Sequence, residues 1–169
     1  MSKEIFRKYL EIKSIKDLRE SKHPGEEYST NLIDKNDFQL NKFLYKQIGK
    51  KYYWVDRLKW TDHKWISYVS NKNLITFVLR NKEDVAGYFE LIIHYDKKEV
   101  EIAYFGILEE YFGKKLGGYL LSEAIKKSFL LDVGVNRIWL HTCSLDHENA
   151  LKNYLSRGMT IFKMESVKL

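Results

Sequence analysis

Three strand-like segments joined by short polar turns, at residues 74–79, 85–95 and 100–107, constrain the fold more than any other feature of the sequence. They are rich in the β-branched and aromatic residues that strands favour. The two turns are too short to hold a crossover helix, so neighbouring strands must pair in antiparallel fashion. The pattern therefore predicts an antiparallel meander at the centre of the domain.

Further helices and strands are predicted on both sides of this meander. Apolar residues at helical spacing predict four helices, at residues 38–48, just after Thr61, at 116–129 and at 146–157. Further strands are predicted at residues 6–12, 137–143 and 160–167. These elements predict an α/β (α+β) fold with a mixed, mostly antiparallel central sheet flanked by helices. At 169 residues, without a Pro/Gly/Ser-rich linker, the chain is expected to form a single domain over residues 1–169.

The composition excludes several classes of protein. Hydrophobic residues make up 44% of the chain and aromatic residues 15%, which predicts a packed core rather than disorder. No apolar run approaches the ~20 residues that span a bilayer, so no membrane partner is expected. The charged start, residues 1–7, lacks the apolar core of a secretion signal. Cys143 is the only cysteine, which excludes an intramolecular disulfide and fits a cytoplasmic location.

The net charge of +6 comes from 23 lysines and six arginines, spread so that no basic run is longer than two. Nucleic-acid readers usually cluster arginine, because bidentate guanidinium contacts carry much of their binding. The scattered lysines therefore predict a solvated surface and no nucleic-acid partner. They leave open the attraction of a polyanionic small ligand.

The stretch Phe-Gly-Lys-Lys-Leu-Gly-Gly, residues 112–118, lies between the third meander strand and the most periodic helix. Glycines let the backbone approach a ligand, and the free N–H groups of a helix N-terminus bind anions. The spacing is neither that of a Walker loop nor that of the dinucleotide fingerprint. The residues alone leave two interpretations open, a phosphate-binding loop and a plain tight turn.

Together with the order of the elements and the C-terminal helix, this loop resembles that of the GCN5-related N-acetyltransferase (GNAT) family. In that family the loop reads Gln/Arg-x-x-Gly-x-Gly/Ala, and its amides hold the pyrophosphate of coenzyme A. Leu116 and Gly117 match the motif, whereas Phe112 replaces the Gln or Arg and Lys115 replaces the first Gly. The resemblance implies a fold that binds acyl-CoA, with acetyl-CoA as co-substrate. It assigns acetyl-CoA binding to Phe105, Gly106, Ile107, Phe112, Gly113, Lys114, Lys115, Leu116, Gly117, Gly118 and Asn149.

A second match lies in the C-terminal helix. Asn149, Ala150, Tyr154 and Gly158 agree with the family pattern Asn-Ala-x-x-x-Tyr-x-x-x-Gly-Phe, and Met159 stands in place of the Phe. The resemblance implies that Tyr154 is a catalytic residue, the general acid that protonates the departing thiolate of coenzyme A. From the residues alone, a core tyrosine on an apolar helical face is the alternative.

Glu101 lies on the third meander strand between apolar neighbours, and strict alternation places it on the same face as Phe105 and Ile107. A carboxylate among apolar groups tends to have a raised pKa, which suits a general base near neutral pH. The resemblance implies that Glu101 is this catalytic base, acting through water, and that a backbone N–H near Ile107 bonds the acetyl carbonyl. A solvated strand glutamate is the alternative.

Residues 52–68 are dense in aromatic side chains. The resemblance implies that this region lines the acceptor pocket, and Trp54, Asp56 and Arg57 are predicted to bind an amine there. Ordinary packing of a helix against the sheet is the alternative.

A cluster of His141, Cys143, Asp146 and His147 raises the question of a metal site. Its spacing fits no zinc pattern, so no metal is predicted. A nucleophilic Cys143 would need an activating base, and His141 is the residue that could serve. This support is thin, so packing of the Cys143 side chain is the favoured interpretation. Asp146 or Ser144 is expected to cap the last helix.

The sequence thus predicts an N-acetyltransferase that moves an acetyl group from acetyl-CoA to a small-molecule or peptide amine by direct attack in a ternary complex. A non-catalytic acyl-CoA-binding module is the first alternative, because Phe112 and Lys115 depart from the family motif. A basic nucleic-acid-binding protein is the second, and the scarce arginines disfavour it. A homodimer is left open.

Overall fold

Seven strands and four helices lie within residues 3–168, the part of the chain that the computed structural model describes. The strands are β1 (Glu4–Ile12), β2 (Tyr28–Leu32), β3 (Leu74–Asn81), β4 (Asp84–His94), β5 (Glu99–Ile107), β6 (Arg137–Cys143) and β7 (Thr160–Lys168). The helices are α1 (Phe38–Gly49), α2 (Asp62–Val69), α3 (Leu116–Phe129) and α4 (Ala150–Ser156). Met1 and Ser2, which open the charged start discussed above, lie outside the described residues.

All seven strands form one sheet in the order β2-β3-β4-β5-β6-β1-β7. β5 and β6 pair in parallel, and the other neighbouring strands pair in antiparallel fashion. The expected mixed, mostly antiparallel sheet of an α+β fold is therefore confirmed. β1 lies inside the sheet between β6 and β7, where its buried Leu10 is opposite Leu140.

Helices cover the two faces of the sheet. On one face, α3 and α4 pack over β4, β5, β6 and β1 around the larger core, which includes Leu120 and Ile125 of α3. On the other face, Leu44 and Ile48 of α1 pack against Val78 of β3 and other buried side chains. β4 lies between these two layers and is buried along most of its length.

A strand at the sheet edge and the cap of α2 differ in how clearly the sequence predicts them. β2 was not expected, because its five residues Tyr-Ser-Thr-Asn-Leu are mostly polar and exposed at the sheet edge. α2 begins just after Thr61, as expected, and the Thr61 hydroxyl caps it by accepting the N–H of Lys64 at 3.2 Å. Among residues 3–168, none of the helices is long and apolar enough to span a bilayer.

The last helix begins at Ala150, four residues later than expected. The Asp146 carboxylate accepts the backbone N–H of Cys143 at 3.0 Å and closes the turn after β6. The expectation that Asp146 or Ser144 caps this helix is therefore wrong. Asn149 is the residue that precedes α4, and its side chain makes no capping hydrogen bond.

Candidate active site

The parallel strands β5 and β6 pair over only three residues and then separate. The last pair joins Glu101 to Trp139, although β5 continues to Ile107 and β6 to Cys143. The diverging strands open a cleft of about 740 Å³ in the middle of the sheet. This volume lies within the range of small-molecule sites, and the cleft contains almost every residue that the sequence marked as functional.

A β-bulge in β5 lies just beyond the point where the strands part. Glu90 of β4 pairs with Tyr104, but the next residue, Leu91, pairs with Ile102, so Ala103 has no partner in the ladder. A bulge bends its strand and increases the local twist. It therefore helps to turn the end of β5 away from β6.

The bulge also reverses the alternation on which the placement of Glu101 was based. Glu101 pairs with Ile92, which is on the same face of β4 as Glu90, the partner of Tyr104. Glu101 consequently shares the face of Tyr104, toward α1, and not the face of Phe105. The expectation that Glu101 lies on one face with Phe105 and Ile107 is wrong, because an extra residue shifts the period of two.

The wall of the cleft formed by β5 presents free backbone amides. The N–H of Leu108 donates to the carbonyl of Ala86 on β4 at 2.8 Å. Because hydrogen-bonding direction alternates along an antiparallel strand, the amides of Ile107 and Phe105 point away from β4 and into the cleft. Gly106 between them has no room for a side chain, since a Cβ there would collide with Ile48 Cγ2.

The predicted phosphate-binding loop forms the next wall. α3 has neither an acidic residue in its first turn nor a side-chain cap, so the first N–H groups of the helix have no side-chain acceptor. Gly113 has a φ of +77°, and Lys115, directly before the helix, has a φ of +59°. This is the left-handed conformation that glycine adopts most easily, so Lys115 keeps the backbone shape expected of the glycine it replaces.

Ten of the eleven residues predicted to bind acetyl-CoA line this cleft. Phe112 lies at its rim, with its ring 5.4 Å from that of His147. Lys114 is the exception: its ammonium lies 5.2 Å from the centre of the Tyr111 ring, beside a separate shallow groove. Asn153 of α4 also lines the cleft and approaches Gly117, a contact that the motif comparison missed.

Tyr154 projects from α4 into the same cleft. Its ring is 7% exposed and meets that of Phe105 at 6.2 Å between centroids, at an angle of 65°. The hydroxyl makes no hydrogen bond to any of residues 3–168. Burial and then the Asp146 carboxylate raise the pKa of Tyr154, so the phenol keeps its proton throughout the neutral range. A protonated hydroxyl without a partner among the described residues is available to donate a proton.

Glu101 lies at the closed end of the cleft and is mostly buried. His94 Nε2 lies 3.2 Å from Glu101 Oε2, and the His94 ring stacks on Trp139 at 6.1 Å between centroids. The sequence offered one signal for His94 that was missed: positions 94 and 101 flank the β4–β5 turn, so the hairpin brings them together. The pair is a carboxylate whose orientation is held by an imidazole.

Arg57, predicted to bind the acceptor, lines the cleft and is also engaged within the protein. Its guanidinium forms an ion pair with the fully buried Glu90 at 3.1 Å and donates to the hydroxyl of Tyr68 at 2.6 Å. It also lies 4.2 Å from the centre of the Tyr104 ring, which lines the cleft. Arg57 therefore anchors the segment between α1 and α2 to the sheet.

The other two predicted acceptor residues have freer positions. Trp54 is half-buried in the cleft wall, with its ring 4.8 Å from that of Tyr104. Asp56 is exposed and lies at the mouth of the cleft. Together with Tyr104 they place aromatic faces and one carboxylate on the side of the cleft toward α1, the face on which Glu101 also lies.

The cluster around Cys143 has no features of a metal centre. Residues 3–168 contain no group of three or more His, Cys, Asp or Glu side chains arranged to hold a metal ion. Burial raises the pKa of Cys143, which keeps the thiol protonated and argues against a nucleophile.

The acetyltransferase (GNAT) family model matches residues 38–159 of the chain. Solved structures match in fold. A GCN5-related N-acetyltransferase from Sphaerobacter thermophilus has a TM-score of 0.73 at 13% identity, over 99% of this chain and 53% of that one. A functionally unknown conserved protein from Staphylococcus epidermidis has a TM-score of 0.67 at 15% identity, over 98% and 61%.

An aminoglycoside acetyltransferase from an uncultured soil metagenomic sample has a TM-score of 0.63 at 13% identity, over 80% of this chain and 90% of that one. At such identities the likeness shows the fold alone. The chain spans only 53% and 61% of the length of the first two structures. No curated protein matches the chain in sequence.

Proposed function

Because the chain belongs to the GNAT acetyltransferase family, we propose that it transfers an acetyl group from acetyl-CoA to the amine of a small molecule or peptide. One observation carries this proposal. The unpartnered hydroxyl of Tyr154, the free amides of Phe105 and Ile107 and the uncapped start of α3 all line one cleft. A donor of protons, a site for a carbonyl oxygen and a site for phosphate are the three parts that acyl transfer from a phosphate-bearing thioester needs.

The loop of residues 112–118 holds the pyrophosphate in this proposal. The N–H groups at the start of α3 and the dipole of a 14-residue helix favour an anion. Gly117 places no side chain between the helix backbone and Asn153, so a ligand can approach the backbone there. Lys115 adds positive charge at the cleft wall. No carboxylate of the first turn opposes the phosphates.

The amides on β5 and the phenol on α4 act on the reacting group. Acetyl-CoA supplies an activated thioester that an amine attacks directly. The N–H of Ile107 stabilises the negative charge that develops on the carbonyl oxygen. Tyr154, which is protonated at neutral pH, donates its proton to the departing sulfur.

Glu101 is the proposed base. It lies at the closed end of the cleft on the face toward α1, so it removes the proton of the amine through water rather than directly. His94 is a positioning residue in this scheme, because its imidazole holds the Glu101 carboxylate at 3.2 Å.

The acceptor is proposed to enter from the side of Trp54 and Asp56. A carboxylate and aromatic faces attract an ammonium group. The fold neighbour named as an aminoglycoside acetyltransferase supports the inclusion of amino sugars among the acceptors to be tested. We place the reaction in the cytoplasm, without nucleic acid, membrane or metal, and the single free cysteine is compatible with that location.

A screen for thiol release from acetyl-CoA tests the proposal. Amino sugars, polyamines, amino acids and peptide N-termini are the acceptors, and mass spectrometry follows the acetylated product. We expect thiol release that depends on one acceptor class, in equal amount to the acetylated product. Binding of coenzyme A without release for any acceptor would favour a non-catalytic acyl-CoA-binding module. Salt-sensitive retention on DNA without coenzyme A binding would favour a nucleic-acid-binding protein.

A further inference from the structure

β7 is a free edge of the sheet. No strand among residues 3–168 pairs with its outer side, and seven of its nine residues are exposed. The unpaired N–H and C=O groups of such a strand are a template for another strand. The opposite edge, β2, has only five residues, so β7 is the longer of the two free edges.

Apolar side chains alternate with the charged residues Lys163 and Glu165 on this edge. Met164 is 69% exposed, and Ile161 and Phe162 are 39% and 40% exposed. Phe6 of the adjacent β1 is 61% exposed and lies opposite Ser166, diagonal to Met164 on the same face. Phe162 packs within the chain, against the Tyr9 ring at 6.1 Å and the Arg137 guanidinium at 4.6 Å, whereas Met164 and Phe6 remain largely in water.

The sequence of β7 is complementary to itself when the strand is reversed. If a two-fold axis passes through Met164, each Lys163 lies opposite the second copy's Glu165, and Met164 lies opposite itself. Lys163 and Glu165 are on the same face of the strand, since they pair with Tyr9 and Arg7 of β1, and they form an ion pair with each other at 3.1 Å within the chain. Opposite charges directly across an antiparallel pair stabilise it.

We propose that β7 pairs in antiparallel fashion with β7 of a second copy of this chain, joining the two seven-stranded sheets into one. Two strands, β1 and β6, separate this edge from the cleft, so the interface leaves the cleft open. The pairing satisfies backbone groups of β7 and covers the exposed Met164. The proposal is independent of the acetyl-transfer reaction.

Sedimentation velocity of single and mixed variants tests the register as well as the association. Lys163→Glu and Glu165→Lys each place like charges opposite one another twice in a homodimer. Each variant alone is expected to raise the dissociation constant by ~10-fold or more. In a mixture of the two variants, the new glutamate of one chain faces the new lysine of the other, and the native Glu165 faces the native Lys163. The mixture is therefore expected to recover the dimer.

Met164→Lys is a second probe, because it places two ammonium groups on the two-fold axis. Its control is Leu130→Lys, which adds the same charge at an 80% exposed residue after α3. Met164→Lys is expected to be monomeric and folded, and Leu130→Lys dimeric. A wild-type chain that remains monomeric at every concentration overturns the proposal. A dimer that persists in Met164→Lys would rule out β7 as the interface. A mixture of the two charge variants that fails to associate would rule out this register.

Discussion

Tyr154→Phe separates a catalytic hydroxyl from a structural one. The change removes one oxygen and keeps the ring that meets Phe105 at 6.2 Å between centroids. The hydroxyl donates to none of residues 3–168, so its loss breaks no hydrogen bond there, whereas a structural hydroxyl would lose ~1 kcal/mol. The free energy of unfolding should therefore change little. The loss of a general acid should lower turnover ~100- to 10,000-fold, or ~3 to 5 kcal/mol.

The assay measures three quantities on one preparation of Tyr154→Phe. Steady-state thiol release gives turnover, calorimetry gives the affinity for coenzyme A, and thermal unfolding gives the melting temperature. Tyr119→Phe is the matched control, because Tyr119 of α3 is also buried but packs against His23, outside the cleft. Normal turnover per folded molecule with a lowered melting temperature would make Tyr154 a core residue and refute its role as the acid.

Four further predictions concern the rest of the site and the core. Glu101→Gln should lower the rate most near neutral pH and less at alkaline pH, where the free amine is abundant; an unchanged pH–rate profile would make Glu101 structural. Arg57→Met should lower the free energy of unfolding in urea by ~3 to 5 kcal/mol, because it leaves Glu90 buried without its cation, and Arg57→Met with Glu90→Leu should regain most of that loss. Lys115→Gly should raise the same quantity by ~0.5 to 1 kcal/mol, since a left-handed backbone suits glycine, and a loss of stability would count against this reading. Burial raises the pKa of Tyr88, so the stability from this neutral phenol is complete below the unfolded pKa of ~10 and is lost as the pH rises above it; urea unfolding that is independent of pH across this range would contradict the prediction.

The strands and helices with a strong local period could be predicted from the sequence. The meander, α3 and β6 were all predicted to within about two residues of their bounds, because burial on a sheet or helix face imposes a period that apolar residues record. β2 has no such apolar period, because its residues are mostly polar and lie at the edge of the sheet. The start of α4 was misplaced because Asp146 bonds backwards to Cys143 rather than forwards to the helix.

The candidate site was predicted in part for the same physical reasons. The loop at residues 112–118 and Tyr154 follow motifs that are contiguous in sequence, so their residues could be named before their geometry was known. The face of the sheet on which Glu101 lies depends on a bulge at Ala103, and strict alternation of side chains along a strand cannot predict a bulge. The engagement of Arg57 depends on Glu90, 33 residues away on another strand. Pairings of this kind are set by tertiary packing.

The proposed function depends on binding of the phosphates of coenzyme A by the loop before α3. Calorimetric titration of coenzyme A into the wild-type chain, Gly117→Glu and Gly117→Gln measures this binding. A Cβ at Gly117 would lie 3.5 Å from Asn153 Nδ2, an ordinary contact, so both variants should fold. The two side chains have nearly the same size and differ in charge. We expect one coenzyme A per wild-type chain, weaker binding by Gly117→Gln and no measurable binding by Gly117→Glu. An unchanged affinity in folded Gly117→Glu would contradict this expectation.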